Sequence, residues 1–119
     1  MNGEQFMKVC KEFMGKEAEI MNFKGGEYAP GKDRLANFKE IAEFVGFVQP
    51  SQVAWFYLMK HVQSVNNVMT GSGQVKWYWE FNGKEGLKQR LVDIRNYVLL
   101  LAACIEEETA LESGPTEES

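Results

Sequence analysis

Residues 87–105 read LKQRLVDIRNYVLLLAACI and form the most apolar stretch of the chain. Apolar side chains recur there at spacings of three and four, which predicts a core helix. The predicted inner stripe consists of Leu87, Leu91, Ile94, Val98, Leu101 and Ile105. Asp93, Asn96 and Tyr97 share another face, because residues three and four apart are neighbours on a helix. A carboxylate so near an apolar stripe either lies at its solvated edge or needs a cation or metal as partner.

The composition indicates a single domain that is large enough for a hydrophobic core. The chain has 119 residues, of which 45% are hydrophobic and 25% charged, as is usual for globular proteins. A net charge of −4 and a pI near 5.1 argue against binding of duplex nucleic acid, which needs a basic surface. We expect one domain over residues 1–111, followed by a disordered acidic tail over 112–119.

Cysteine usage and hydropathy predict a cytoplasmic protein. Cys10 and Cys104 both lie in helical apolar patterns, which favours buried free thiols over a disulfide. The sequence does not open with a basic segment followed by an apolar run, so no signal peptide is expected. The longest apolar run, VLLLAACI, is too short to span a bilayer. No membrane association is predicted.

Three further helices are predicted upstream of the opening stretch, and together the four make an all-α bundle. They cover residues 3–22, 33–47 and 48–69. Asp33 is the predicted N-cap of the second helix, and Gln49 or Ser51 that of the third. The third helix is apolar nearly all round from Val53 to Met59, which predicts a central position in the bundle.

The segment FKGGEYAPGKD, residues 23–33, interrupts the helical pattern with three glycines and a proline. Tyr28 lies in its middle, with Lys24, Lys32 and Arg34 nearby. An aromatic ring beside cations can stack on a base while the cations contact phosphate. Packing of Tyr28 onto the domain explains the same pattern equally well.

The second and third helices carry further candidate residues. Glu40 and Glu43 are three apart and share a face, a spacing that can hold a divalent cation or simply face water. Lys60 follows the apolar block of the third helix and either extends to solvent or reaches a phosphate. His61 is the single histidine, and no second ligand stands at zinc spacing from it, so a zinc site is not expected.

Residues 70–86, TGSGQVKWYWEFNGKEG, place an aromatic cluster between glycines. The Asn82-Gly83 pair favours a turn, so we expect a short hairpin or an ordered loop before the last helix. Such large rings must cover apolar surface. That surface belongs to the core, to a neighbouring subunit, or to a ligand beneath a lid containing Trp77.

Several short motifs occur together in a particular order. They are Tyr28, then Asp33, Arg34 and Leu35, then Asn37 and Phe38, Ile41 and Ala42, Pro50, Leu58 and Lys60, and finally Asp93, Ile94 and Tyr97. Over about residues 20–105 this order resembles that of the small MazG-like proteins of bacteriophages and prophages.

The resemblance implies an all-α fold related to the MazG nucleoside triphosphate pyrophosphohydrolases. Those enzymes hold magnesium on a nucleotide's phosphates with acids from separate helices, and dimers or higher assemblies are common among them. By this analogy the catalytic and metal-binding residues are Glu40, Glu43 and Asp93. The chain also departs from the family pattern, because Arg90 stands where a glutamate is expected and Asn96 replaces a glycine. The arginine in place of an acid favours phosphate binding over metal binding.

Three functions are compatible with these observations. The first is a magnesium-dependent phage nucleoside triphosphate pyrophosphohydrolase. The second is a non-catalytic anti-defence protein that sequesters a nucleotide, for instance a cyclic nucleotide immune signal. The third is a protein that blocks a host defence protein through its surface. For the first two, the expected nucleotide-binding residues are Tyr28, Arg34, Asn37, Lys60, Trp77, Arg90, Asn96 and Tyr97.

Overall fold

Four helices form the described part of the chain: α1 (Gly3–Gly26), α2 (Ala36–Val45), α3 (Pro50–Thr70) and α4 (Leu87–Ser113). The computed structural model describes residues 1–26, 33–71, 79–80 and 86–113, and these contain no strand. The predicted all-α bundle of about four helices is therefore confirmed. Tyr28, the segment around Trp77 and the tail beyond residue 113 lie outside the described residues.

The starts of α2 and α3 are set by local side chains. Gln49 caps α3 as predicted: its backbone N–H donates to Oε1 of Gln52 at 2.6 Å, and its side chain accepts from the Gln52 backbone. The prediction for α2 was wrong, because its N-cap is Leu35 instead of Asp33. Asp33 lies two residues before this N-cap, and its Oδ1 accepts a hydrogen bond from the Leu35 N–H at 2.9 Å.

Glycines end both of these helices. Gly46 follows α2 with φ +95° and Gly71 follows α3 with φ +72°, a left-handed conformation that costs glycine little. The other two helices extend beyond the predicted bounds. α1 continues to Gly26 and α4 to Ser113.

The hydrophobic core lies where α2, α3 and α4 meet. α3 packs against both of the other two helices. Trp55, Phe56 and Met59 of its apolar segment are exposed among the described residues, so the predicted central position holds for one side of the helix. Ala54 is completely buried, and its small side chain suits the close approach of neighbouring helices. The core cluster consists of Leu35, Phe38, Ala42, Val53, Ala54 and Cys104.

The buried face of α4 differs from the predicted one. Val98 and Ile105, both assigned to the inner stripe, are about half exposed, whereas Val92 and Cys104 are buried. Lys88, Val92, Asn96 and Cys104 are the buried residues of α4, and none of them belongs to the predicted stripe. Of that stripe, Leu101 packs against the core. Residues 98–105 are apolar on every side, so their periodicity could not select one face.

Ion pairs join α1 to α4. Lys88 is buried and its ammonium pairs with Glu12 of α1 and, at 2.8 Å, with Glu80. Hydrogen bonds to these two carboxylates raise the pKa of Lys88. Farther along, Nε of Arg95 donates to Glu17 at 2.6 Å. Because each charge is paired across the interface, these contacts fix how α1 lies along α4.

The start of α3 is held by a side chain from the end of α4. Glu108 accepts from the Ser51 backbone N–H at 2.9 Å and from its hydroxyl at 2.6 Å. A carboxylate is favourable at a helix N-terminus, because it satisfies N–H groups that have no partner within the helix. This contact sets α3 and α4 antiparallel. None of the described helices combines the length and hydropathy needed to cross a membrane.

Cys104 provides a test of this core. Burial, with Glu108 and Glu107 nearby, raises the pKa of its thiol from 9.0 to about 11. Ionisation is then easier in the unfolded chain, so the thiol's contribution to stability should be present below pH 9 and lost as the pH rises toward 11. We expect iodoacetamide at pH 8 to modify the half-buried Cys10 much faster than Cys104, as followed by site-resolved mass spectrometry. In denaturant the two rates should converge, and equal rates in the native protein would contradict this packing.

Candidate functional site

A groove lies between the start of α2 and the second half of α4. Its volume is about 820 Å³, within the range of small-molecule sites. Tyr57 of α3 forms part of its wall. The lining residues are Asp33, Arg34, Leu35, Asn37, Phe38, Tyr57, Asn96, Tyr97, Leu99, Leu100, Ala103, Glu106, Glu107 and Ala110.

Four of the predicted nucleotide-binding residues line this groove. Arg34 and Asn37 come from the α2 side, and Asn96 and Tyr97 come from α4. Asn96 is buried, so the polar group it supplies is fixed in place. Two segments about sixty residues apart in sequence thus contribute to the same surface.

One wall of the groove is aromatic. The rings of Tyr97 and Tyr57 are stacked, with centroids 5.9 Å apart and planes 14° apart, and Phe38 lies 6.0 Å from Tyr57. Burial raises the pKa of the Tyr97 hydroxyl, and the nearby Asp93 and Tyr57 add to the rise. The phenol therefore stays protonated at neutral pH and can donate a hydrogen bond.

The charged part of the lining is mainly acidic. Asp33, Glu106 and Glu107 face a single cation of the lining, Arg34. Lys39 bridges two of these acids, donating to Asp33 and Glu107. Its hydrogen bonds raise the pKa of Lys39 and lower that of Asp33. The bridge connects α2 to α4 and leaves part of the negative charge of the lining uncompensated.

Asp93 lies behind the aromatic wall, between α3 and α4. Its Oδ1 accepts from Nε2 of Gln89 at 3.0 Å, and its Oδ2 lies 3.9 Å from Nε2 of His61. The side chains of Asp93 and His61 are only 21% and 17% exposed. The polar cluster is thus shielded from bulk solvent but does not line the groove directly.

His61 was not among the predicted site residues. Its Nδ1 lies 2.9 Å from the Tyr57 carbonyl oxygen, and since a carbonyl only accepts, Nδ1 carries a proton. The imidazole also contacts Tyr97, with ring centroids 4.9 Å apart. Tyr57 and His61 are four apart on α3, and Asp93 and Tyr97 are four apart on α4. A polar residue paired with a tyrosine four residues away on each helix was the signal that the sequence offered.

The described residues place the acids of the predicted magnesium site on two different helices, α2 and α4. Glu40 and Glu43 are exposed on α2 and do not line the groove, whereas Asp93 faces His61 of α3. Within the described part of the chain, no three acidic, histidine or cysteine side chains come close enough together to hold a metal ion. Magnesium usually binds one or two carboxylates together with water and phosphate oxygens. Even a pair of acids that held magnesium here would therefore need to face the bound nucleotide.

The remaining predicted residues lie elsewhere. Lys60 is exposed on α3, and Arg90 is half-buried on the first turn of α4. Neither lines the groove. Tyr28 and Trp77 lie outside the described residues, so their assignment to the nucleotide site stays a prediction.

Comparison of the chain with protein-family models, with curated proteins and with solved structures gives no match. The relation to the MazG-like proteins therefore stays a prediction from the sequence motifs.

Proposed function

We propose that this chain is a nucleotide-binding protein whose α2–α4 groove holds a phosphorylated nucleotide. One observation carries the proposal. Arg34, Asn37, Asn96 and Tyr97, selected from the sequence for nucleotide binding, line a single groove. The resemblance to the small MazG-like phage proteins supports the same class of ligand.

The chemistry of the groove suits a nucleoside. Tyr97, on the aromatic wall of the groove, offers aromatic surface on which a base can stack. The amides of Asn37 and Asn96 each carry a donor and an acceptor, the combination that reads the edge of a base. Arg34 supplies a planar cation that can contact a phosphate with two hydrogen bonds.

The charge of the groove favours a nucleotide with few phosphate charges. A triphosphate would add about four negative charges beside Asp33, Glu106 and Glu107. Lys39 pairs with Asp33 and Glu107, and Arg34 is the cation of the lining. Like charges about 4 Å apart repel by roughly 4 kcal/mol at a protein surface. A monophosphate or a cyclic nucleotide avoids most of this repulsion. We therefore favour sequestration of a cyclic nucleotide signal, an anti-defence role if the chain is phage-encoded.

Binding without hydrolysis is also the activity that the described residues support best. Pyrophosphohydrolysis in the MazG enzymes depends on acids that hold magnesium, and these acids are not clustered among the described residues. Asp93, held by Gln89 and facing His61, has partners of its own. Its role in the proposal is to position the α3 and α4 side chains behind Tyr97.

The test is a panel of nucleoside mono- and triphosphates and cyclic nucleotides, each with and without magnesium. Melting temperature and product formation are followed together. We expect stabilisation by at least one nucleotide of low charge without magnesium, with the ligand recovered intact after denaturation. The matched variant is Asp93→Asn, which should leave much of this stabilisation in place.

Two results would contradict the proposal. Magnesium-dependent release of pyrophosphate that is abolished in Asp93→Asn would show an enzyme of the MazG type. Failure of every nucleotide in the panel to stabilise the protein would instead favour the third function, contact with a host protein.

A further inference from the structure

Asn96 carries a buried amide without a hydrogen-bond partner in the described chain. Only 7% of the residue is exposed, and it lines the α2–α4 groove. Within residues 1–26, 33–71, 79–80 and 86–113, its side chain makes no hydrogen bond. An amide that has left water without gaining a partner costs stability. A ligand in the groove would supply the missing hydrogen bonds.

The position of Asn96 suits the edge of a ring that lies against Tyr97. The two residues are adjacent in α4, with Cα atoms about 3.8 Å apart, and both line the groove. The Tyr97 ring is held by stacking on Tyr57, with planes 14° apart, and by contact with His61. A flat ring stacked on Tyr97 can therefore bring one edge to the Asn96 amide.

The chemistry of a single amide distinguishes between the bases. An asparagine side chain offers N–H donors on one side and a carbonyl acceptor on the other, and a half-turn only exchanges the two. At its N6/N7 edge adenine presents one donor and one acceptor, so the amide can pair with both. At the same edge guanine and hypoxanthine present two acceptors, O6 and N7, so one pairing is lost in either orientation of the amide. Pyrimidines have no N7.

We infer that the groove selects an adenine nucleotide and that Asn96 makes the selection by pairing with N6 and N7 of the base. The inference deepens the proposed nucleotide binding and rests on it. Arg34, which also lines the groove, contacts phosphate in that proposal. A phosphate contact carries no information about the base, so binding and base selection depend on different residues.

The first test compares ligands that differ only at this edge of the base. Calorimetry with the full chain gives the Kd of AMP, of IMP, which has oxygen in place of the 6-amino group, and of 7-deaza-AMP, which has carbon in place of N7. All three share the same ribose and phosphate. Because a bidentate pairing distinguishes bases by about tenfold or more, we expect the Kd of each analogue to exceed that of AMP by about tenfold or more.

The second test uses Asn96→Leu, which keeps the branching of the side chain and removes both polar groups. AMP should then bind no more tightly than IMP. The ligand-free variant should also melt at a higher temperature than the parent chain, because leucine leaves no amide without a partner. An asparagine with a purely structural role would give the opposite shift. Asn66→Leu is the matched control, since Asn66 is exposed on α3 and outside the groove lining, and it should keep the preference for AMP.

The outcomes separate base selection from nucleotide binding. Equal affinity for AMP and IMP would overturn the selection of adenine and leave the proposed nucleotide binding standing. A preference for AMP that survives Asn96→Leu would overturn the role of Asn96, as would a lower melting temperature of the ligand-free variant. Binding of no nucleotide at all would overturn both proposals.

Discussion

Asn96→Asp is expected to weaken nucleotide binding about a hundredfold while the chain remains helical. The substitution keeps the shape of the side chain but adds a negative charge at a buried position in the groove lining. Two like charges about 5 Å apart repel by roughly 3 kcal/mol at a protein surface, and about 1.4 kcal/mol corresponds to a tenfold change in Kd. We therefore expect Kd, measured by calorimetry with the nucleotide selected by the panel, to rise about a hundredfold.

Asn2→Asp is the matched control for charge. Asn2 is exposed, far from the groove lining, and caps α1 by accepting from the Gln5 N–H at 2.8 Å; aspartate preserves this acceptor. It should leave Kd unchanged. Arg34→Gln tests the same site from an exposed position and should weaken phosphorylated ligands more than the parent nucleoside. Unaltered affinity in both Asn96→Asp and Arg34→Gln would mean that the groove is not the nucleotide site.

The predictions that succeeded relied on strong local patterns. Gln49, one of the two predicted N-caps of α3, caps the helix and Pro50 follows in the first turn, because caps and first-turn prolines act within a few residues of sequence. The spacing of apolar residues in α2 predicts an inner stripe of Leu35, Phe38, Ile41, Ala42 and Val45. Four of these are buried or pack against the core, and Val45 is 41% exposed. The pattern of α2 was clear because most residues outside this stripe are polar. In α4 the run 98–105 has no such contrast, and the predicted face was wrong.

The candidate site could likewise be predicted only where spacing within one helix was sufficient, because contacts between helices depend on the tertiary structure. Asp93, Asn96 and Tyr97 could be grouped from one helix, because their spacing alone sets their common direction. His61 could not, since its contact with Asp93 depends on how α3 crosses α4, which Glu108 and the buried Ala54 help to set. Grouping Glu40 and Glu43 with Asp93 needed a helix arrangement that the described residues do not adopt.

Phe38→Ala should remove a large part of the protein's stability. Phe38 is buried in the α2–α3–α4 core and its ring packs against Tyr57 at 6.0 Å. Truncating a buried phenylalanine typically costs about 3–5 kcal/mol through lost burial and the cavity left behind. A small domain is stable by about 5–15 kcal/mol in total. We expect guanidinium unfolding, followed by circular dichroism at 222 nm, to show a loss of about that size.

Phe44→Ala is the control on the same helix, because Phe44 is 92% exposed. It should change the free energy of unfolding by no more than about 0.5 kcal/mol. Equal effects at the two positions would contradict the packing of α2 described above. Phe38 also lines the groove. Its packing fixes the segment that contains Arg34 and Asn37 against α3, so Phe38→Ala should weaken nucleotide binding as well. Phe44→Ala should leave nucleotide binding unchanged. This difference would show that the affinity of the groove depends on how α2 packs against α3 and not on the hydrophobicity of the exposed face of α2.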